Sequence, residues 1–193
     1  LARLTEAHRC AVNATGRCVL IHGEAGIGKT SLLRAFLDTL GPPRPATTQL
    51  VAGCEALFAP RPLGPLVDLA DHFPPSVAAA LHDGRTHNGL FPGMLAHLRA
   101  ARQATVLAIE DLHWADEGTL DFVRFFARRV DSAPVLLVLT YRDDEIGTRE
   151  DHRHHHEVRH AQRDPLAQAL REQRLLDHAV PGADRRHQCV RRL

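Results

Sequence analysis

The chain has 193 residues, 24 of them basic and 23 acidic, and its formal charge of +1 gives no general electrostatic case for binding nucleic acid or an anionic membrane. That length fits one α/β domain with an ample core, whereas two domains would be cramped. No apolar run approaches the roughly 18 residues of a membrane span and no signal-peptide pattern opens the chain. The four cysteines at 10, 18, 54 and 189 form no C-x-x-C pair, so neither a zinc site nor a disulfide framework is indicated and a cytoplasmic setting is expected.

Leu4, Ala7, Cys10, Ala11 and Ala14 predict a helix over residues 2–15, with Gly16 placed to end it. Val19 to His22 read as a short buried strand. A loop with glycines at 23, 26 and 28 follows, then Lys29 and Thr30, then a helix carrying Leu32, Leu33, Phe36, Leu37 and Leu40. This is G-x-x-x-x-G-K-[ST] between a strand and a helix, the pattern of a phosphate-binding loop. A triphosphate needs several donors at once, which inward-turned backbone N–H groups and a helix N-terminus supply. Lys29 reaches the β- and γ-phosphates in such a loop, and the Thr30 hydroxyl ligates Mg²⁺. Lys29 is also the only lysine among the 24 basic residues, so the one compact ammonium falls where a point charge suits a phosphate cradle.

Gly41-Pro42-Pro43 ends the phosphate helix, and Thr48 to Ala52 read as a second strand. Leu63, Leu66, Val67 and Ala70 predict one helix over Pro62 to Phe73, and Ser76 is a candidate cap for a short helix from Val77 to His82. Leu90 to Arg102 return to helical spacing. Thr105 to Ile109 form the continuous apolar run of a strand covered on both faces, ending in Glu110 and Asp111. Paired acids at the carboxyl end of such a strand sit where open α/β sheets bind ligands. One suits the Mg²⁺ shell and the other suits a general base that activates water, against the plainer reading of a surface strand end.

Asp116 reads as the N-cap of a helix running to Val130, and His113 as either a γ-phosphate or partner sensor or a simple turn residue. Val135 to Thr140 form a further buried strand, beyond which Arg142 lies across the sheet edge from Lys29, within reach of a γ-phosphate or paired with Asp143 or Asp144. Residues 149–163 hold five histidines and four arginines with no usable period, as in a solvated linker rather than a metal site. Arg174 to Val180 are a candidate fifth strand. The expected division is a core over 1–180, with 149–163 a linker within it, and the start of a helical lid over 181–193. An initial Leu in place of Met and a final stretch read as helix suggest a piece of a longer polypeptide.

The blocks G-E-A-G-I-G-K-T-S-L-L, V-L-A-I-E-D-L-H-W-A-D and P-V-L-L-V-L-T-Y-R-D-D-E, with C-E-A-L-F-A-P-R-P-L-G-P-L-V-D-L between the first two, resemble the ATPase domain of large LuxR-type transcriptional regulators. These belong with the maltose-regulator-like signal-transduction (STAND) ATPases near the AAA superfamily. The resemblance covers residues 1–146 and implies a three-layer α/β P-loop NTPase with parallel strands in the order 5-1-4-3-2. It also implies ATP and Mg²⁺ as cofactors. Gly23, Glu24, Ala25, Gly26, Ile27, Gly28, Lys29, Thr30 and Ser31 would bind nucleotide, with Thr30 and Glu110 at the metal, Asp111 as the catalytic acid, Lys29 on the phosphates and Arg142 as sensor. The family often has Asp where Glu110 stands, and its adenine-contacting segment ahead of the first helix is missing here. The implied function is an ATP-binding, slowly hydrolysing switch that binds ATP and ADP and acts on effector and DNA-binding regions outside this chain. This fragment itself would bind neither nucleic acid nor membrane, with room for nucleotide-dependent self-association. A small P-loop phosphotransferase and a non-hydrolysing nucleotide-binding scaffold are the alternatives.

Overall fold

The computed structural model describes residues 1–41, 47–57, 61–83, 89–142 and 190–192. Its frame is a sheet of β1 (Arg17–Gly23), β2 (Thr47–Gly53), β3 (Ala104–Glu110), β4 (Val135–Arg142) and β5 (Val190–Arg192), in the spatial order β2-β3-β4-β1-β5. Read from the other edge this is the expected 5-1-4-3-2. The four strands β1 to β4 pair in parallel, whereas β5 runs antiparallel against Val19, Leu20 and Ile21. The expectation of five parallel strands is therefore corrected at the last one. Of the expected lid start over 181–193, residues 190–192 are strand and the rest lie outside the described residues. The physical reason is the open side of β1, whose backbone groups need partners that an added strand supplies. The expected strand at 174–180 and the linker at 149–163 lie outside the described residues.

β3 and β4 are near-continuous apolar runs because both faces of the sheet are covered. On one face α1 (Ala2–Val12) and α2 (Lys29–Thr39) bury Leu4, Ala11, Leu33 and Phe36 against Val19, Ile21, Val106, Ala108, Leu136 and Val138. On the other, α3 (Gly64–Val67), α4 (Pro75–His82), α5 (Leu90–Ala100) and α6 (Glu117–Ala127) pack on Leu107, Ile109, Leu137 and Leu139. Phe122 and Phe126 of α6 are fully buried there with their rings 4.4 Å apart. Each contributes about 2–3 kcal/mol by leaving water. The period-2 alternation of a strand then puts Glu110, Thr140 and Arg142 on the α2 face, in line with Ala108 and Val138.

Three local expectations are revised. The single helix over 62–73 is the one-turn α3 followed by a 3-10 turn at Ala70–His72. Phe73 must be extended ahead of Pro74 (φ −116°, ψ 162°), and the chain tightens before it. Ser76 does not cap α4. That helix begins two residues before the expected Val77, with Pro75 in its first turn and no side-chain cap. Gly16 does not end α1, which closes at Asn13, with Ala14 taking the left-handed conformation.

Gly16 answers a different requirement. A Cβ there would stand 1.9 Å from the Val130 carbonyl oxygen and 2.6 Å from that of Ala133. Only glycine lets the entry to β1 pass this close to the chain leading into β4. Among the described residues no helix is long and apolar enough to cross a membrane, and no cluster of His, Cys, Asp or Glu is arranged to hold a metal ion.

Two predictions follow from these contacts. Gly16→Ala is expected to destabilise the fold by about 3 kcal/mol, as forced overpacking against backbone does, read as a lowered urea midpoint with unchanged slope. Cys18 and Cys54 are buried at 2% and 8% exposure, and burial pushes both thiols up to about 12, helped at Cys54 by the Asp116 and Asp111 charges. At pH 8 each is then about one part in ten thousand thiolate. Against a thiol reagent under native conditions, Cys10 should react well before either; labelling of Cys54 at the rate of Cys10 would contradict the packing.

Candidate functional site

Gly23 closes β1, and the chain turns through Glu24 to Ile27 into Gly28, which stands at the N-cap of α2 with φ 97° and ψ 24°. Gly26 is also left-handed, at φ 76°. A Cβ at either position would meet nothing within 4 Å, so here glycine serves backbone conformation rather than relief of crowding within the protein. Glu24 to Ile27 are exposed, and the loop presents its backbone to solvent ahead of the positive end of α2. Lys29, the first residue of α2, is 7% exposed, and its ammonium donates to the carbonyls of Gly23 and Glu24, each at 2.8 Å. Two of its three N–H donors thus tie the start of the helix to the start of the loop. Thr30 follows, half-buried, and Ser31 is exposed.

The acidic pair ends β3, two strands from β1, or roughly 10 Å at the usual strand spacing. Glu110 Oε1 is buried and has no hydrogen-bond partner among the described residues. A buried carboxylate oxygen without a donor is costly, and a divalent cation or its water shell is the chemistry that satisfies it. Glu110 therefore fits the metal position, the extra methylene relative to Asp notwithstanding. Asp111 leaves the strand in the left-handed conformation, φ 53° and ψ 46°, and its N–H donates to the Thr140 hydroxyl at 2.8 Å.

Arg142 connects the two halves. It is the register partner of Gly23 across β1 and β4, and its Nε lies 3.8 Å from Asp111 Oδ1. Among the described residues its acid is Asp111; Asp143 and Asp144 lie outside them. His113 is buried, with Nδ1 3.9 Å from the same oxygen and its ring against Trp114 (5.1 Å) and Tyr141 (6.1 Å). A half-buried carboxylate is thus flanked by an arginine from one strand and an imidazole from its own loop.

Asp116 does cap α6, and it does more than the sequence foretold. Its carboxylate accepts from the Thr119 N–H at 3.2 Å, from the Thr119 hydroxyl and from the Leu63 N–H at 3.1 Å. The loop after the acidic pair is thereby pinned to the start of α3. Gly118 sits tightly against it, since a Cβ there would lie 3.0 Å from both this carboxylate and Leu63 Cδ2. A small cleft opens beside this clamp, lined by Cys54, Glu55, Arg61, Trp114 and Asp116 among others, with no residue of the phosphate loop in its wall. It is thus separate from the cradle.

Sequence reasoning missed Thr140 as a partner of the acidic pair, although a signal was present. It is the one hydroxyl in the run V-L-L-V-L-T, at the carboxyl end of a strand where its five predecessors are all 0% exposed.

A family model described as an AAA ATPase domain matches residues 1–138. No curated protein matches the sequence. Among solved structures, the Drosophila origin recognition complex (ORC) bound to DNA is similar at a TM-score of 0.50 and 20% identity, over 77% of this chain and 38% of that one. The C. elegans PCH-2 structure gives 0.46 and 13%, over 77% and 38%. A STAND protein with a tetratricopeptide repeat sensor from Pyrococcus horikoshii gives 0.38 and 19%, over 75% and 21%. The chain thus spans well under half the length of these proteins. The likeness to the ORC chain concerns the fold, which is that of an α/β P-loop domain. With the family match covering the phosphate loop and the acidic pair alike, the chain belongs to the AAA ATPase domain family.

Proposed function

We propose that this chain is an ATP-dependent switch module, the nucleotide-binding part of a larger signalling protein of the LuxR-type regulator kind. The observation that carries the reading is the meeting at Arg142, which is level with the first loop glycine and 3.8 Å from the acid at the end of β3. One residue so placed can register both whether a γ-phosphate is present and where the Asp111 carboxylate lies.

In this reading the backbone of residues 23–28 and the Lys29 ammonium would hold the β- and γ-phosphates, and Thr30 and Glu110 would hold Mg²⁺. When bound, the ion would neutralise phosphate charge and so ease attack on the terminal phosphorus. Asp111 takes the proton of the attacking water. His113 and Arg142 keep that carboxylate oriented, and the Arg142 cation opposes the charge that builds on the transferred group. Loss of the γ-phosphate removes an anion from beside Arg142. The end of β4 then responds to a changed local charge, which is how nucleotide state would reach effector and DNA-binding regions.

The regulator context is supported by the similarity of the sequence blocks around Lys29, Glu110 and Arg142. A cytoplasmic setting and nucleotide-dependent self-association belong to the same proposal.

Lys29→Ala is expected to weaken MgATP binding about 10- to 100-fold, the loss of charge-assisted hydrogen bonds, measured by titration calorimetry. Asp111→Asn should keep binding within about threefold and lower turnover by about 100-fold or more, as removal of a general base does, followed by phosphate release. Equal MgATP affinity in the parent chain and Lys29→Ala would dismiss the cradle as the binding site.

A further inference from the structure

We propose that Thr140 is a positioning residue for the acidic pair, holding Asp111 in its left-handed turn so that the carboxylate stays between Arg142 and His113. This role rests on the nucleotide-switch reading above and adds to it a residue that the phosphate loop and the acidic motif do not contain.

Thr140 is 1% exposed at the end of a strand whose other buried members are aliphatic, and a hydroxyl buried there is costly unless it is bonded. It is bonded, to a backbone N–H that itself lacks a ladder partner: Asp111 has left β3, and its amide donates to Thr140 Oγ1 at 2.8 Å. The bond falls at an awkward place in the backbone. Asp111 at φ 53° and ψ 46° occupies a region that residues with a Cβ adopt sparingly, and such geometry persists where surrounding contacts over-determine it.

The consequence is directional. If the Asp111 peptide relaxed to an ordinary extended or right-handed conformation, its side chain would swing away from the edge of β4, and the approaches of 3.8 Å to Arg142 and 3.9 Å to His113 would be lost. Thr140 is itself fixed, because it lies in the middle of the sheet as the register partner of Ile21 in β1. The hydroxyl therefore references the acidic turn to the strand that also carries Arg142. Valine has the same shape and no acceptor, whereas serine keeps the acceptor and loses a methyl group.

The test compares the full chain with Thr140→Val and Thr140→Ser, alone and in an Asp111→Asn background, by MgATP titration, steady-state turnover and amide hydrogen exchange. Thr140→Val should lower kcat about 10- to 100-fold, the scale of a catalytic group displaced by about an ångström. Its MgATP dissociation constant should stay within about twofold, its melting temperature should remain close to that of the parent, and the Asp111 amide should exchange about tenfold faster or more. Thr140→Ser should recover most of the rate. In the Asp111→Asn background the valine substitution should cost almost nothing further, because its effect runs through that side chain.

Unchanged kcat in Thr140→Val alongside normal MgATP binding overturns the role of Thr140 and leaves the switch reading standing. So does a loss of rate that persists undiminished in the Asp111→Asn background, or one accompanied by an equal loss of folded protein. A parent chain that neither binds nor turns over MgATP removes the switch reading and this role together.

Discussion

Parallel pairing through β2, β3, β4 and β1 brings the carboxyl ends of four strands to one edge, and every side chain of the candidate site depends on that coincidence. The pairing holds because both faces of β3 and β4 are dry. Val106 to Ile109 and Val135 to Leu139 are all 0% exposed. A slip of one residue between β3 and β4 would turn Glu110 to the opposite face of the sheet from Thr140 and Arg142. Burial on both faces is therefore what gives the edge its register, and register brings an arginine from one strand to a carboxylate from the next.

Much of this was legible in the sequence, for a physical reason. The loop from Gly23 to Ser31, the apolar runs of β3 and β4 and the Asp116 cap are local patterns. In each, the chemistry that selects the residue operates within a few positions of it. What escaped notice was long-range. Gly16 looks like a helix terminator to its neighbours in sequence and is in fact the place where two backbones nearly touch, the second more than a hundred positions away. Asp116 reads as a cap, yet its third hydrogen bond reaches the Leu63 N–H at the start of α3, a partner far away in sequence. The apolar spacing over Pro62 to Phe73 reports which residues face the core, with Leu63, Leu66 and Ala70 buried and Val67 half-buried; it does not report whether the backbone between them is continuous.

The fifth strand shows the same limit from the other side. Order and neighbours were foreseen, but not the segment or the direction. β1 offers open backbone groups at the sheet edge, and three residues at 190–192 meet them antiparallel. A stretch as short as V-R-R carries no strand signal of its own, because what defines it is the partner.

The site also gathers several local states that the core does not require. Glu110 Oε1 is buried without a donor, Asp111 sits in left-handed backbone, and the Lys29 ammonium is folded onto the carbonyls of its own loop. None of these is explained by the core, which would be served as well by apolar or relaxed alternatives at each position. They share one direction. On the proposed reading, the unpartnered Glu110 oxygen, the carboxylate held out by the left-handed turn and the ammonium at the start of α2 would be met together by one metal-bound polyphosphate at this edge. The three features sit on separate elements, β3, the turn after it and α2, so it is a single ligand spanning them, and not a local rearrangement, that would satisfy them at once.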